Sequence, residues 1–288
     1  MKMMTFNVLN GGEDRFDRIR AIVAAERPDL LVFQECVGWE DGERLRAVAA
    51  AIGVPATGDH LVMGRANRRG SGRRYNVCLV SRPPILSHRV HAPSPMAHCL
   101  VEAEIAPAGD GPPLLVLGTH LVWTDERARL AEVDEILRLV PPAAVAERDC
   151  VLLGDLNALS RHDPHPADLG DRLAAAGIGK YGHPPRFDVM DRLEAAGWVD
   201  ALRAAPRSPR WVTAPRERNG VRVDTRPDYV LVSRPLAARL AWADVVDTGT
   251  ASDHHAVVAA VDRGREPAGK PADHTAAGPG AVPRLTSS

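Results

Sequence analysis

The sequence is short of the features that mark several large protein classes. Aromatic residues make up only 4% of its 288 residues, so few side chains are available to stack on nucleic-acid bases. No apolar run reaches the roughly 18 residues needed to cross a bilayer, so we expect no membrane span. The four cysteines are scattered without CxxC spacing, which disfavours a disulfide framework and a zinc site.

The sequence also lacks an excess of positive or negative charge. The formal net charge is −1, so no global positive field favours tight nucleic-acid binding, although a local basic patch is compatible with it. The segment before the first apolar strand is too short for a signal peptide, and scattered thiols fit a reducing compartment. We therefore expect a cytoplasmic protein, and its 45% apolar residues are enough for a sizeable core.

A short buried-strand signal over residues 150–153 leads directly into Asp155 and Asn157. Along an extended chain, residues i and i+2 point to the same face, so these two side chains should project together from the strand end. A carboxylate beside a carboxamide suits both a hard cation such as Mg²⁺ and a phosphoryl group. Taken alone, the motif fits equally well a strand that ends in an Asx turn.

Apolar runs with a strand signature recur along the chain, and amphipathic helical patterns often lie between them. No break in composition separates two domains, so the pattern predicts one α/β domain with layered sheets and outer helices over residues 1–262. Residues 263–288 are rich in Gly, Pro, Ala and Thr without periodicity and are predicted to be a disordered tail. Residues 204–220, rich in Pro and Arg, are predicted to form a surface loop.

Polar side chains lie just outside the apolar runs at six places along the chain. All of them are Asn, Glu, Asp or His, which supply oxygen ligands or titratable groups. Ligand sites in α/β proteins gather at strand ends, so we expect these side chains to meet in one site. They are Asn7, Glu35, His120, Asp155 with Asn157, Asp228, and Asp253 with His254.

The segments around these residues resemble the motifs of the endonuclease/exonuclease/phosphatase superfamily, the deoxyribonuclease I-like Mg²⁺-dependent phosphoesterases. They occur in the family's order and together span about residues 1–262. The resemblance implies an α/β (α+β) fold, a four-layer sandwich of two mixed β-sheets packed face to face with helices outside. The matching segments are 5–8 (TFNV), 28–35 (PDLLVFQE), 118–121 (GTHL), 154–158 (GDLNA), 227–233 (PDYVLVS) and 252–254 (SDH).

The resemblance implies a metal site within this group. Glu35 would be the main Mg²⁺ ligand, with Asn7 and Asp253 close by. A hard cation prefers oxygen donors of this kind. Mn²⁺ is expected to substitute for Mg²⁺, and both one and two metal ions are compatible with the sequence.

The resemblance also implies a catalytic group of five residues. His254 and its partner Asp228 would form a dyad, in which the carboxylate raises the pKa of the imidazole and fixes its tautomer. Asp155 would orient or activate the attacking water. Asn157 and His120 would contact the phosphate. Both His254 and Asp155 remain candidates for the base that takes the proton from water.

The best clue to the substrate is a polar loop over residues 64–74, which contains five arginines. It predicts a clamp for a phosphate or a nucleic-acid backbone, and a solvated surface loop is the alternative. The candidate substrate-binding residues in it are Arg68, Arg69, Arg73 and Arg74. The candidate stacking platforms for a base are Tyr75, Trp123, Tyr181 and Trp211.

The sequence thus predicts Mg²⁺-dependent hydrolysis of a phosphate ester with water as nucleophile. A phosphodiesterase or nuclease is preferred, and a phosphatase of a small phosphorylated metabolite or lipid headgroup is the alternative. The expected partner is the phosphate-ester substrate, with nucleic acid as one candidate, and we expect a monomer. A catalytically silent binding module on the same fold is the alternative of another class, but such a module would be free to lose several of these polar residues.

Overall fold

Two six-stranded sheets and a separate two-stranded hairpin form the fold, in a computed structural model that describes residues 1–67, 72–107, 111–205 and 210–262. The predicted tail, 263–288, lies outside the described residues. Along the chain the strands are β1 (Lys2–Asn7), β2 (Leu30–Gln34), β3 (Leu61–Gly64), β4 (Val77–Ser81), β5 (Ile85–His91), β6 (Leu100–Ile105), β7 (Leu114–His120), β8 (Cys150–Asp155), β9 (Val199–Asp200), β10 (Ala214–Arg218), β11 (Val221–Thr225), β12 (Asp228–Val232), β13 (Leu240–Val246) and β14 (Ala256–Val261).

The first sheet has the strand order β13-β14-β1-β2-β4-β3. Strands β1 and β2 are parallel, whereas their outer neighbours β14 and β4 are antiparallel to them. Because parallel strands end at the same edge of a sheet, the register that pairs Asn7 with Gln34 also brings Asn7 close to Glu35. One edge of this sheet therefore presents two of the predicted polar side chains together.

The second sheet has the strand order β5-β6-β7-β8-β12-β9. Strands β7 and β8 are parallel, and β12 runs antiparallel to β8. The register pairs His120 with Asp155 and Asp155 with Asp228. Three predicted site residues consequently stand in one row across three neighbouring strands, although they are far apart along the chain.

The two sheets pack face to face through alternate residues of their strands. On β8, Val151 and Leu153 belong to the apolar cluster between the sheets, whereas Leu152 belongs to the cluster under the helices. This two-residue alternation is what an extended strand with both faces covered requires. The sheets approach closely at Gly118, where an added Cβ would lie 2.9 Å from Val32 of the other sheet.

Helices cover the outer face of each sheet, which completes the four layers. Helices α1 and α2 share an apolar cluster with the first sheet, and α3, α4 and α6 share one with the second. In the residues that the structure describes, no helix combines the length and apolar character needed to cross a membrane. The helices are α1 (Phe16–Glu26), α2 (Glu43–Ala51), α3 (Glu126–Leu139), α4 (Pro142–Glu147), α5 (Leu169–Ala175), α6 (Asp188–Ala195), α7 (Ala201–Ala204) and α8 (Arg234–Ala237), with a 3-10 segment at Asn10–Arg15.

The prediction of a surface loop over residues 204–220 is wrong for the second half of this range. Strands β10 and β11 form an antiparallel hairpin there, joined by Asn219 and Gly220. Both turn residues have positive φ, 53° and 72°, as a two-residue hairpin turn of the Asn-Gly type needs. The Asn-Gly dipeptide was the available signal, and the Pro and Arg content around it obscured the strand pattern.

Candidate active site

The predicted strand-end residues converge on one open cleft of about 870 Å³. Its lining includes Glu35, His120, Asp155, Asn157, Asp253 and His254. Asn7 and Asp228 lie buried directly beneath it and hydrogen bond to Asp155 and His254, respectively. The sequence prediction that these positions meet in one place is therefore confirmed by their geometry.

His254 and Asp228 form a buried hydrogen-bonded pair. His254 Nδ1 lies 2.8 Å from Asp228 Oδ2, which also accepts a bond of 2.7 Å from the hydroxyl of Thr213. Burial by itself would lower the pKa of His254, but the carboxylate of Asp228 outweighs burial and raises this pKa to about 10. The contact with Asp228 orients the imidazole so that Nε2 lies toward the cleft.

Asp155 is hydrogen-bonded through both of its carboxylate oxygens. Its Oδ2 accepts from Asn7 Nδ2 at 3.0 Å, and its Oδ1 accepts from the backbone N–H of Asn157 at 2.8 Å. Burial would raise its pKa, but the positive charges of His254, His120 and Lys180 outweigh burial and lower it to about 2. Asp155 is thus a fixed, ionised acceptor at neutral pH.

The amide of Asn157 is held on both sides. Its Nδ2 donates to Leu121 O at 2.9 Å and lies 3.2 Å from His120 Nε2. Its Oδ1 accepts a bond of 2.5 Å from Lys180 Nζ. The ring of His120 stacks on that of His98, with ring centroids 4.4 Å apart, which fixes the imidazole beside the amide.

Lys180 was missed by the sequence analysis. It lies in the loop between α5 and α6, where no strand end or motif points to the cleft. The loop is tied to α3 because the buried guanidinium of Arg129 donates to Lys180 O at 2.6 Å. No signal in the sequence indicates this contact, since the two residues are 51 positions apart.

Glu35 occupies a strained backbone position at the edge of the cleft. Its φ of 60° is one that residues with a side chain rarely adopt, and such strain concentrates at functional sites. The carboxylate accepts from Asn10 N at 2.9 Å and from Asn7 Nδ2 at 3.2 Å. These bonds keep both oxygens at the cleft rather than in solvent.

The donor set at this side of the cleft fits a hard divalent cation. Asp253 Oδ1 is buried without a hydrogen-bond partner within the described parts of the chain, which is costly for a carboxylate unless a cation satisfies it. Glu35 supplies a second carboxylate in the same cleft. A further cluster, Asp155 with Asp228 and His254, has ligand atoms within 4.8 Å of one another, but Asp228 and His254 already bond to each other.

The arginines predicted to bind substrate are only partly described. Arg68 and Arg69 lie outside the described residues. Arg73 is exposed, and Arg74 is half-buried and donates to the backbone oxygen of Ala66. The role of this loop in substrate binding therefore stays a prediction.

Two of the four predicted stacking residues stand at the cleft. Tyr75 and Trp123 line it, and Trp123 is 61% exposed. The prediction is wrong for Tyr181, which is buried in an apolar cluster with residues of α5 and β11. Trp211 packs against the core between the sheets.

Comparison with known proteins adds a family and a fold. The family model described as "Endonuclease/Exonuclease/phosphatase family" matches residues 4–254. A comparison with curated proteins gave no match. Similar solved structures are a 3' phosphatase from Neisseria bound to a product DNA hairpin (TM-score 0.64, 21% identity), an AP endonuclease from Archaeoglobus fulgidus (0.62, 21%) and a mannosyl-6-phosphatase from Bacteroides thetaiotaomicron VPI-5482 (0.63, 12%).

Each of these alignments covers 91% of this chain and 99% of the other chain. At such identities they support the fold alone, and they confirm the predicted pair of mixed sheets with helices outside. The family match spans nearly the whole described chain and confirms the resemblance drawn from the motifs. The chain belongs to the endonuclease/exonuclease/phosphatase family and is a hydrolytic phosphoesterase.

Proposed function

We propose that the protein hydrolyses phosphodiesters with Mg²⁺ as its metal ion and water as the nucleophile. The observation that carries the proposal is the position of Asp155, an ionised buried carboxylate, beside the His254–Asp228 pair at the base of an open cleft. Asp155 Oδ2 lies 3.9 Å from His254 Nδ1. The two side chains are therefore close enough to act on the same phosphate and its attacking water.

In this proposal Glu35, Asn7 and Asp253 hold the metal ion. The bound cation would offset the negative charge that develops on the phosphoryl oxygens. Two observations support this ligand set: Asp253 Oδ1 is buried with no hydrogen-bond partner among the described residues, and Glu35 has a strained backbone. Mn²⁺ should substitute, since it accepts the same oxygen ligands.

The remaining residues divide between proton transfer and charge stabilisation. Burial lowers the pKa of His254, but Asp228, with Asp155 and Asp253, raises it, so in this proposal the imidazole is charged in the substrate complex and its Nε2–H donates to a phosphoryl oxygen. Asp155 is then the acceptor that orients the water and takes its proton. Its low pKa makes it a weak base, and its fixed hydrogen bonds compensate by holding the water in line for attack.

Asn157 and His120 bind the phosphate in this arrangement. The amide of Asn157 cannot rotate freely, because Lys180 holds its oxygen and Leu121 holds its nitrogen. Donors that are fixed before the reaction stabilise developing charge without a reorganisation cost. Lys180 adds a full positive charge at the same place.

The lining of the cleft favours a nucleotide-bearing diester over a small phosphomonoester. Lys180, Arg216 and Arg218 line it with positive charge, which suits a substrate with more than one phosphate. Trp123 stands exposed in the same lining and offers a flat surface for a base. A phosphatase of a small phosphorylated metabolite remains the second candidate, because the cations would also neutralise a phosphate dianion.

A substrate panel tests the proposal. Bis(p-nitrophenyl) phosphate, p-nitrophenyl phosphate, single-stranded and duplex DNA and RNA would be assayed with Mg²⁺, with Mn²⁺ and with EDTA. We expect metal-dependent cleavage of the diester and of at least one nucleic acid, and loss of both in Asp155→Asn. Cleavage of the monoester alone would favour the phosphatase, and full activity in EDTA would contradict the metal mechanism. No cleavage of any ester would favour a silent binding module.

A further inference from the structure

A positively charged side chain from the hairpin lies directly over the catalytic pair. Arg216 Nη2 is 3.2 Å from His254 Nε2 and 3.3 Å from Asp253 Oδ2. The side chain is 35% exposed and lines the cleft. Arg216 therefore occupies the position in front of Nε2 where a phosphoryl oxygen of the substrate would have to arrive.

The hairpin that carries Arg216 is anchored to Asp228 and to the residue that follows His254. Thr213, just before β10, bonds to Asp228 through its hydroxyl and accepts from His255 N at 2.6 Å through its backbone oxygen. Across the hairpin, Arg216 pairs in register with Val223, which is buried in the apolar cluster with α5. The backbone under Arg216 is thus fixed, while its guanidinium reaches into the open cleft.

The contact with Asp253 has a consequence for metal binding. Asp253 has one buried oxygen without a partner in the described chain, and its other oxygen faces Arg216. A cation held by Asp253 would repel the guanidinium and weaken this ion pair. Arg216 would then need another acceptor, and the planar fork of a guanidinium fits the oxygens of a phosphate.

We propose that Arg216 binds a non-bridging oxygen of the scissile phosphate, and that its ion pair with Asp253 competes with a cation for this carboxylate. The inference deepens the proposed phosphoesterase function and rests on it. Arg216 would then be a substrate-binding residue whose guanidinium leaves Asp253 when a cation binds there. We consequently expect the cation to bind first and the phosphate second.

The proposal predicts effects of opposite sign on two ligands. Arg216→Ala should weaken the binding of inorganic phosphate to the Mg²⁺-loaded protein by about tenfold to a hundredfold, the range for losing a charged hydrogen bond. The same change should tighten Mn²⁺ binding in the absence of phosphate by about twofold to fivefold, as expected when a partly exposed competing charge is removed. A purely structural role for Arg216 would weaken both.

Titration calorimetry measures both affinities, and neither needs turnover. Arg216→Gln serves as a second variant that keeps a polar side chain without the charge, and Arg216→Lys should restore part of the phosphate affinity. The matched control is Arg222→Ala on β11, whose guanidinium pairs with Asp224 and is exposed outside the cleft. It should change neither affinity, and circular dichroism melting would confirm that each variant is folded.

The outcomes separate this inference from the proposed function. Unchanged phosphate affinity in both Arg216→Ala and Arg216→Gln, or no phosphate binding by the loaded wild type, would overturn the inference. Weakened Mn²⁺ binding in these variants would overturn the idea that Arg216 competes with the metal. A wild type that binds phosphate through Arg216 and yet hydrolyses no phosphate ester would contradict the proposed function alone.

Discussion

Replacing Asp228 with Asn tests the electrostatics of the catalytic pair most directly. The pair raises the pKa of His254 from an ordinary value of 6.5 to about 10. At about 1.4 kcal/mol per pKa unit, this corresponds to a preference of about 5 kcal/mol for the charged imidazole. The cost of removing one member of a buried ion pair is of the same size, roughly 3–5 kcal/mol. Asp228→Asn should therefore lower the pKa of His254 well below about 10, because burial is then opposed only by the more distant charges of Asp155 and Asp253.

The pH dependence of stability follows from the sign of this shift. Since folding raises the pKa of His254, the pair contributes its full stabilisation below about pH 6.5 and loses it as the pH rises through about 10. Urea unfolding of the wild type between pH 6 and 10.5 should show this loss. The contribution should be missing from Asp228→Asn, whose activity should fall by roughly a hundredfold or more.

NMR titration of the His254 ring provides the decisive measurement, with His254→Gln used to assign the signal. Thr213→Val is the matched milder variant, because it removes the hydroxyl that donates to Asp228 Oδ2 and accepts from Asp228 N, and leaves both charges in place. It should shift the midpoint only slightly. A wild-type midpoint near 6.5, or a midpoint still near 10 in Asp228→Asn, would refute the assignment of the pair.

Three further changes test the metal, the phosphate contact and the basic loop. Glu35→Gln should weaken Mg²⁺ binding by roughly a thousandfold, since a unit charge at close range is worth about 4 kcal/mol. The control Glu43→Gln, which is exposed at the start of α2, should leave Mg²⁺ binding unchanged. Equal Mg²⁺ affinities of the wild type and Glu35→Gln in calorimetry would exclude Glu35 as a ligand. Lys180→Met should lower kcat/KM by about tenfold to a hundredfold and move the acid limb of the pH–rate profile upward, because the pKa of Asp155 rises when this charge is lost. An unmoved acid limb would separate Lys180 from Asp155. If the loop contacts a phosphate, Arg73→Ser should reduce the slope of log affinity for duplex DNA against log salt concentration by about 0.9. An unchanged slope would show that Arg73 does not contact the DNA backbone.

The strand-end residues could be predicted from the sequence because regular backbone geometry fixes where they go. Apolar runs locate the strands, and the polar residue that ends each run must lie at a sheet edge. Parallel pairing of β7 with β8 then places His120 beside Asp155 with no freedom left in the register. The same argument brings Asn7 close to Glu35 at the end of β1 and β2. Local patterns and sheet geometry are sufficient here.

The cationic residues of the cleft could not be predicted in this way. The chain has 36 lysines and arginines, and their surroundings along the sequence do not tell which of them point inward. Lys180 depends on a bond from Arg129 in α3, and Arg216 depends on the docking of a whole hairpin. The Asn219–Gly220 turn predicts that a hairpin exists, but the residues against which it packs follow only from the tertiary structure.

The attachment of this hairpin couples substrate selection to the chemistry. Thr213 donates to Asp228 through its hydroxyl, and three residues later Arg216 of β10 lies beside His254. A change in the turn at the far end of the hairpin can alter the reach of Arg218 or Arg216 and so change KM. A displacement at its base would move Asp228 as well, and would lower kcat by disturbing the tautomer of His254. If Arg216 binds the phosphate, we therefore expect substrate range to vary with changes at the tip of the hairpin and catalysis to constrain its base.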